Sequence, residues 1–295
     1  MIEIESLPTG VMIGGNGDTG PSVEISTPAC GASISLRGGH VLSWQPANCM
    51  PVLWLSPAAV FHEGKAIRGG IPVCWPWFGD HPADPNKPSH GFARIREWDL
   101  VDVSQGRDGI RVSMALPAID ADLKFWPSKS RPKLTIIAGQ ELTLILENTN
   151  IDAETIEITQ ALHTYFVIGD IEVIEIEGLQ DETYHDKVTD SDDHRQIGAV
   201  RFDREVDRIY RHATADIDIC DPQYSRRIRV RQHGGSSIVV WNPWIEKTRR
   251  LGDMGPDDSY RRMVCVETGS VADQAIKLAP GETHRLKTTI SVESL

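Results

Sequence analysis

Long apolar runs are missing from this sequence. No stretch approaches the ~18 consecutive apolar residues of a membrane helix, so no membrane partner is expected. Paired cysteines are missing too: Cys30, Cys49, Cys74, Cys220 and Cys265 are odd in number and none lies in a CxxC pair, which argues against a disulfide framework and a zinc ribbon. Reduced core thiols are the expectation. There is no long basic run, and 30 Lys and Arg against 42 Asp and Glu leave a formal charge of −12, a field that repels polyanions and excludes nucleic acid as a partner. The opening "MIEIESLPTG" lacks the basic start and apolar core of a secretory signal, which makes the cytoplasm the expected compartment.

The common nucleophile and phosphate-loop motifs are also absent. No GxSxG elbow, GxxxxGK[ST] loop or HExxH helix occurs. "GNGDTG", residues 15–20, matches GxGxxG, but that fingerprint works only where a strand feeds a helix N-terminus, and here Pro21 and a strand-like "SVEIST" follow. A glycine-rich turn is the reading. The polar block "DETYHDKVTDSDDHRQ", residues 181–196, mixes histidines with carboxylates without metal-ligand spacing and reads as a solvated loop. No metal and no cofactor is expected.

What is present is alternation. With 40% hydrophobic residues the chain can build a sizeable core. Many segments change between apolar and polar with period two, as strands do when one face meets the core and the other meets water. "RRIRVRQ", 226–232, turns Ile228 and Val230 one way and Arg227, Arg229 and Arg231 the other, and residues 133–150 read as a hairpin around Ala-Gly-Gln. Further strands are predicted at 22–26, 32–36, 40–45, 97–103, 110–116, 154–162, 172–177, 198–202, 236–241 and 283–293; short helical turns fit only 244–250 and 271–279. No linker or repeat divides the chain. A mainly β fold in one domain, residues 1–295, with two packed antiparallel sheets, follows.

One stretch exceeds what a core strand needs: "RGGIPVCWPWFGDH", 68–81, followed by "HGFAR", 90–94. Arg68 before paired glycines and Arg94 after a second glycine corner make a plausible anion clamp. Trp75, Trp77 and Phe78 between prolines would form a stiff aromatic wall for a sugar ring; equally, they would plug a core. His163, in "ALHTYF", and Glu267, in "MVCVETG", each lie at the end of a strand-like run, where an ionisable group reaches a cleft on a rigid support. A lone buried histidine is also a common core residue. Trp241 and Trp244 fit a cleft lining or a core filling equally well.

Taken in order, "RGGIPVCWPWFG", "HGFAR", "ALHTYF", "EVDRIY", "VWNPW" and "MVCVETG" resemble the glucose-6-phosphate 1-epimerases, or hexose-6-phosphate mutarotases, of the galactose-mutarotase-like superfamily, from about residue 30 to the C-terminus. The resemblance implies an antiparallel β-supersandwich. It also implies His163 as general acid and Glu267 as general base, Arg68 and Arg94 at the hexose phosphate, Asp207 on sugar hydroxyls and His90 lining the site. The implied ligand is a small molecule, a hexose 6-phosphate; a monomer is the expectation, on which the sequence itself says little.

Anomerisation takes the proton from the C1 hydroxyl and gives one to the ring oxygen, which one base and one acid accomplish without metal or nucleotide. An ionised Glu267 and an imidazolium His163, on opposite sides of the hemiacetal, are the expected states, with Lys87 or Lys247 as possible helpers of the arginines. Two other readings remain: a sugar-binding β-sandwich without turnover, and an aldose 1-epimerase of unphosphorylated sugars.

Overall fold

A computed structural model describes residues 7–15, 20–81, 83–119 and 122–295. Residues 16–19 of "GNGDTG" fall outside these. Among the described residues the strands form two eight-stranded sheets, one four-stranded sheet and one two-stranded pair. The back sheet runs Glu175–Glu177, Ile217–Asp221, Arg226–His233, Thr283–Ser294, Leu142–Asn150, Ser130–Ala138, Ile110–Ala115 and Asp99–Gln105, each antiparallel to the next. Its strands alternate as predicted: Leu142, Leu144 and Leu146 are buried while Thr143, Ile145 and Glu147 are less so. Burying such aliphatic side chains stabilises by roughly 1.5–3 kcal/mol each, and this face belongs to the main core.

The second large sheet carries the site. Its order is Ser191–Arg195, Thr183–Asp186, Val206–Arg211, Ser237–Asn242, Met263–Ser270, Gln160–Leu162 and Val73–Cys74, with Tyr165–Val167 also paired to Met263–Ser270. The four-stranded sheet comprises Val11–Gly14, Ser22–Ser26, Cys30–Ser35 and His40–Pro46, in chain order.

Several expectations are corrected. Residues 154–162 are two strands, Ile156–Ile158 and Gln160–Leu162, in different sheets. The chain is pinned between them, where Thr159 donates its N–H to the Pro76 carbonyl and its Oγ1 accepts from Phe78 N. Residues 271–279 hold no helix but the strand Ile276–Leu278, paired with Ile156–Ile158. The predicted strand at 198–202 is reduced to a single bridge between Val200 and Ile176. A helix does form at Trp244–Leu251, where Asn242 Oδ1 accepts the Trp244 N–H and Gly252 takes the left-handed conformation at its end.

The block 181–196 is not a loop. It contains the strands Thr183–Asp186 and Ser191–Arg195, paired as a hairpin on the edge of the site sheet. Its charges are matched locally, Arg195 to Asp181 at 3.0 Å and Arg211 to Asp192 at 2.9 Å, and charged side chains are common on edge strands, where they deter further pairing. All five cysteines are free; Cys30, Cys74 and Cys265 are buried, whereas Cys49 and Cys220 are only partly so. Among the described residues no helix is long and apolar enough to cross a membrane.

Candidate active site

The alternation of the site sheet decides which side chains meet. Register pairs Tyr165 with Cys265, Trp241 with both Cys265 and Asp207, and Val239 with Glu267, so these residues share one face. The alternate residues, among them Leu162, Phe166, Val264, Val266, Val240 and Tyr210, point into the main core. His163 falls in the break between Gln160–Leu162 and Tyr165–Val167, and the register is the same on both sides of the break. It therefore lies opposite Glu267, with Nε2 3.2 Å from Oε1. Glu267 is in the middle of its strand, not at the end as expected, and Met263–Ser270 is buried along its whole length.

Both groups lie on a cavity of about 440 Å³ that also gathers His90, Arg68, Arg94 and Asp207. All six predicted site residues are thus brought together. The glycine corners position the arginines. Gly70 has φ +62°, and a Cβ there would strike the Val41 carbonyl and the His40 ring; the Gly69 carbonyl is held by His40 Nε2 at 2.7 Å. Gly91 has φ +73° and lies so close to the Trp75 carbonyl that no side chain fits, and Phe92 N donates to that same oxygen. Arg68 then donates Nε to Asp253 Oδ1 and Nη1 to Tyr165 Oη, both at 3.0 Å. Arg94 donates Nη2 to the Ser89 carbonyl at 2.7 Å, while its buried Nε finds no partner among the described residues.

The cavity reverses the charge of the chain. Lys65, Arg68, Arg94, Lys187 and Lys247 line it against Asp207, Asp253 and Glu267. Lys247 is 2.8 Å from Glu205 and 3.5 Å from Asp207; Lys187, 38% exposed, has Asp207 at 3.7 Å. Lys187 stands at the turn of the charged hairpin, where its N–H donates to the Asp207 carbonyl. Reading that block as loop hid this residue; only its position two residues after the strand residue His185, which pairs with Ile209 on the site face, marks it. Lys87 is not at the site, since its Nζ lies 2.7 Å from the Phe125 carbonyl and 3.2 Å from His81.

The aromatic wall is also different. Phe78 lines the cavity as expected, but Trp75 packs edge-on against Phe92 and Trp126, and Trp77 against His81 and Phe92. Tyr165 and Trp241 take their place. Trp244 packs on Tyr260 instead.

Burial sets the charge of the central pair. Desolvation, then the charge of Asp207, raises the Glu267 carboxyl well above its usual range, while desolvation, then Arg94 and Arg68, lowers the His163 imidazole well below its own. The expected carboxylate and imidazolium are therefore disfavoured. The neutral forms of both groups are favoured. Nor do the two flank a space; they stand side by side. Glu267 Oε2 and His163 Nδ1 are buried and find no side-chain partner among the described residues. His90 is also pushed well down, mainly by burial.

The model of the aldose 1-epimerase family matches residues 21–291. The chain belongs to that family. It is 37% identical over 273 residues to a protein of Cenchrus ciliaris named "Putative glucose-6-phosphate 1-epimerase", covering 89% of this chain and 81% of that one. A crystal structure from Salmonella typhimurium described as a "putative mutarotase" superposes with a TM-score of 0.91 at 34% identity, covering 99% and 96% of the two chains. A galactose mutarotase-like protein of Clostridium acetobutylicum, at 13% identity, covers 97% and 98% of the chains with a TM-score of 0.74 and shares the fold. The architecture is the galactose-mutarotase-like antiparallel β-supersandwich, and this aldose 1-epimerase family member is an enzyme that interconverts sugar anomers.

Proposed function

We propose that the cavity binds a hexose 6-phosphate, glucose 6-phosphate foremost, and that Glu267 and His163 open and reclose its ring. The observation that carries this reading is the 3.2 Å His163–Glu267 pair on a cavity where five cationic side chains outnumber three carboxylates in a chain of charge −12. A free sugar needs no such cationic excess; a phosphate does. The names of the relatives point the same way.

The C1 hydroxyl and the ring oxygen share one carbon, so neighbouring groups can serve both without flanking the sugar. In the reading, the carboxyl proton passes to His163 Nε2, giving the carboxylate that accepts the C1 hydroxyl proton and the imidazolium that donates to the ring oxygen. The ring opens to the aldehyde, C1–C2 rotates, and the reverse transfers close it. Burial is the main obstacle to an imidazolium at His163, and a phosphate seated on Arg68 and Arg94 removes the lesser one, the repulsion that these arginines exert on it. Asp207 and His90 line the sugar. Each acid or base contributes ~10²–10⁴ in rate.

The reading takes residues 1–295 as one domain, supported by a hydrophobic cluster with members from all three larger sheets. It takes the protein as a cytoplasmic monomer; a charged ligand that does not cross a bilayer unaided fits that compartment. The test is NMR magnetisation exchange between the anomers of glucose 6-phosphate and of glucose, with and without catalytic protein. Acceleration on the phosphate alone is expected. Equal acceleration on both sugars would remove the phosphate from the reading, and none would favour a binding module.

A further inference from the structure

We propose that Tyr165 is a positioning residue that fixes both ends of the site at once: its ring sets the plane of the His163 imidazole, and its hydroxyl sets the Arg68 guanidinium. The inference rests on the hexose 6-phosphate reading of the cavity.

Tyr165 opens the strand Tyr165–Val167, two residues after His163, and is 2% exposed. Its ring lies flat on the imidazole, with centroids 4.8 Å apart and planes 12° from parallel. It is itself held in place. Trp54 stacks on it at 5.9 Å and 23°, and Trp241 meets both Tyr165 and His163 edge-on at about 6 Å. An imidazole can turn about its last side-chain bond, and the Nε2 contact with Glu267 is lost when it does. A flat aromatic neighbour locked by packing removes that freedom, which is how a supporting residue holds a reacting one in a productive geometry.

The hydroxyl works on the other end. Burial keeps the phenol protonated at any ordinary pH, so it meets Arg68 as a neutral oxygen that accepts from Nη1 at 3.0 Å. With Asp253 on Nε, the guanidinium is held from two sides, on the wall of the cavity where an anion would meet it. A residue that merely filled the core would place no hydroxyl on Arg68. One rigid side chain thus sets the spacing between the group that binds the phosphate and the group that moves the proton, and misplacement of either lowers reactivity steeply.

Two variants separate the two halves. Tyr165→Phe keeps the ring and removes the oxygen: the KM for glucose 6-phosphate should rise about tenfold, as loss of a hydrogen bond to a charged group does, while kcat changes far less. Nitrogen-15 NMR of the His163 ring should show the same single tautomer as the wild type. Tyr165→Leu removes the ring: kcat should fall by at least about tenfold, and the His163 signals should report mixed tautomers. The inference is overturned if Tyr165→Phe leaves KM unchanged, if it lowers kcat as much as Tyr165→Leu, or if His163 keeps one tautomer in a folded Tyr165→Leu protein. Should Tyr165→Leu fail to fold, the Tyr165→Phe kinetics still decide. If the wild type exchanges no anomers, the functional reading fails, and the tautomer signals judge the ring-holding role by themselves.

Discussion

His163 and Glu267 face each other across an antiparallel register that persists through a break in the strand. Leu162 pairs with Thr268 before the break and Tyr165 with Cys265 after it, which leaves position 163 opposite 267. The break frees the backbone of His163 from the ladder, yet its N–H is satisfied by the Pro72 carbonyl. With its backbone held in this way, the imidazole stands 3.2 Å from the carboxyl, the arrangement that the proposed proton transfers need.

Replacing Glu267 by Gln keeps the shape and removes the proton acceptor. Anomer exchange on glucose 6-phosphate should drop by ~10²–10⁴, while calorimetric affinity for the sugar stays close to wild type. Undiminished exchange would show that Glu267 takes no part in the proton transfers.

Arg94→Ala should raise the KM for glucose 6-phosphate about tenfold, and that for free glucose hardly at all. Lys187→Ala should act in the same direction but less strongly, since Lys187 is 38% exposed and its field is screened by water. Equal effects on both sugars would place these cations elsewhere than at the phosphate.

His40 couples the site to pH. Fully buried, with Nε2 on the Gly69 carbonyl, its imidazole is pushed down to about 4 from the usual 6.5, chiefly by burial. Above pH 6.5 it is neutral whether the chain is folded or not, and its contribution is complete. Below that, the unfolded chain takes up a proton that the folded one refuses, so stability falls until the pH reaches about 4. The loss from this group is about 3 kcal/mol. His40→Gln, which keeps a donor for Gly69, should lose that much less over the same window in urea titrations; an unchanged pH slope would assign the loss to other groups.

A buried ion pair within the back sheet should matter more than the exposed charges of that same sheet. Asp221 and Arg226 are fully and almost fully buried, 3.5 Å apart; Arg226 also donates to the Pro51 and Val167 carbonyls, and Asp221 accepts from Gly169 N. Asp221→Ala, which strands the guanidinium, should cost roughly 3–5 kcal/mol by urea unfolding. Arg231→Ala, which breaks a half-exposed pair with Glu141, should cost about 1 kcal/mol or less.

The sequence by itself determined the strands whose two faces differ. Leu142–Asn150 and Arg226–His233 lie on the core with one face and meet water with the other, so their burial is written as alternation of residue type. It also carried Arg68, Arg94, His163 and Glu267, because glycine corners, forked cations and isolated ionisable groups beside apolar runs are local features, whereas Asp207 and His90 came only from the family resemblance. Tertiary structure decided the rest. Met263–Ser270 is covered on both faces and shows no alternation, so Glu267 was misplaced along its strand. The tryptophans of "CWPWFG" looked alike in sequence, but whether such a ring meets a cavity or a core depends on what packs beside it: Trp75 found Phe92 and Trp126, and the wall passed to Tyr165 and Trp241. Lys187 lies in a charge run like any solvated one, and became a site residue only because its hairpin pairs beside Asp207. The charge state of His163 and Glu267 was not local either. Residue type set their ordinary ionisation, and burial shifts both groups toward their neutral forms, since desolvation is a property of the folded surroundings and not of the chain.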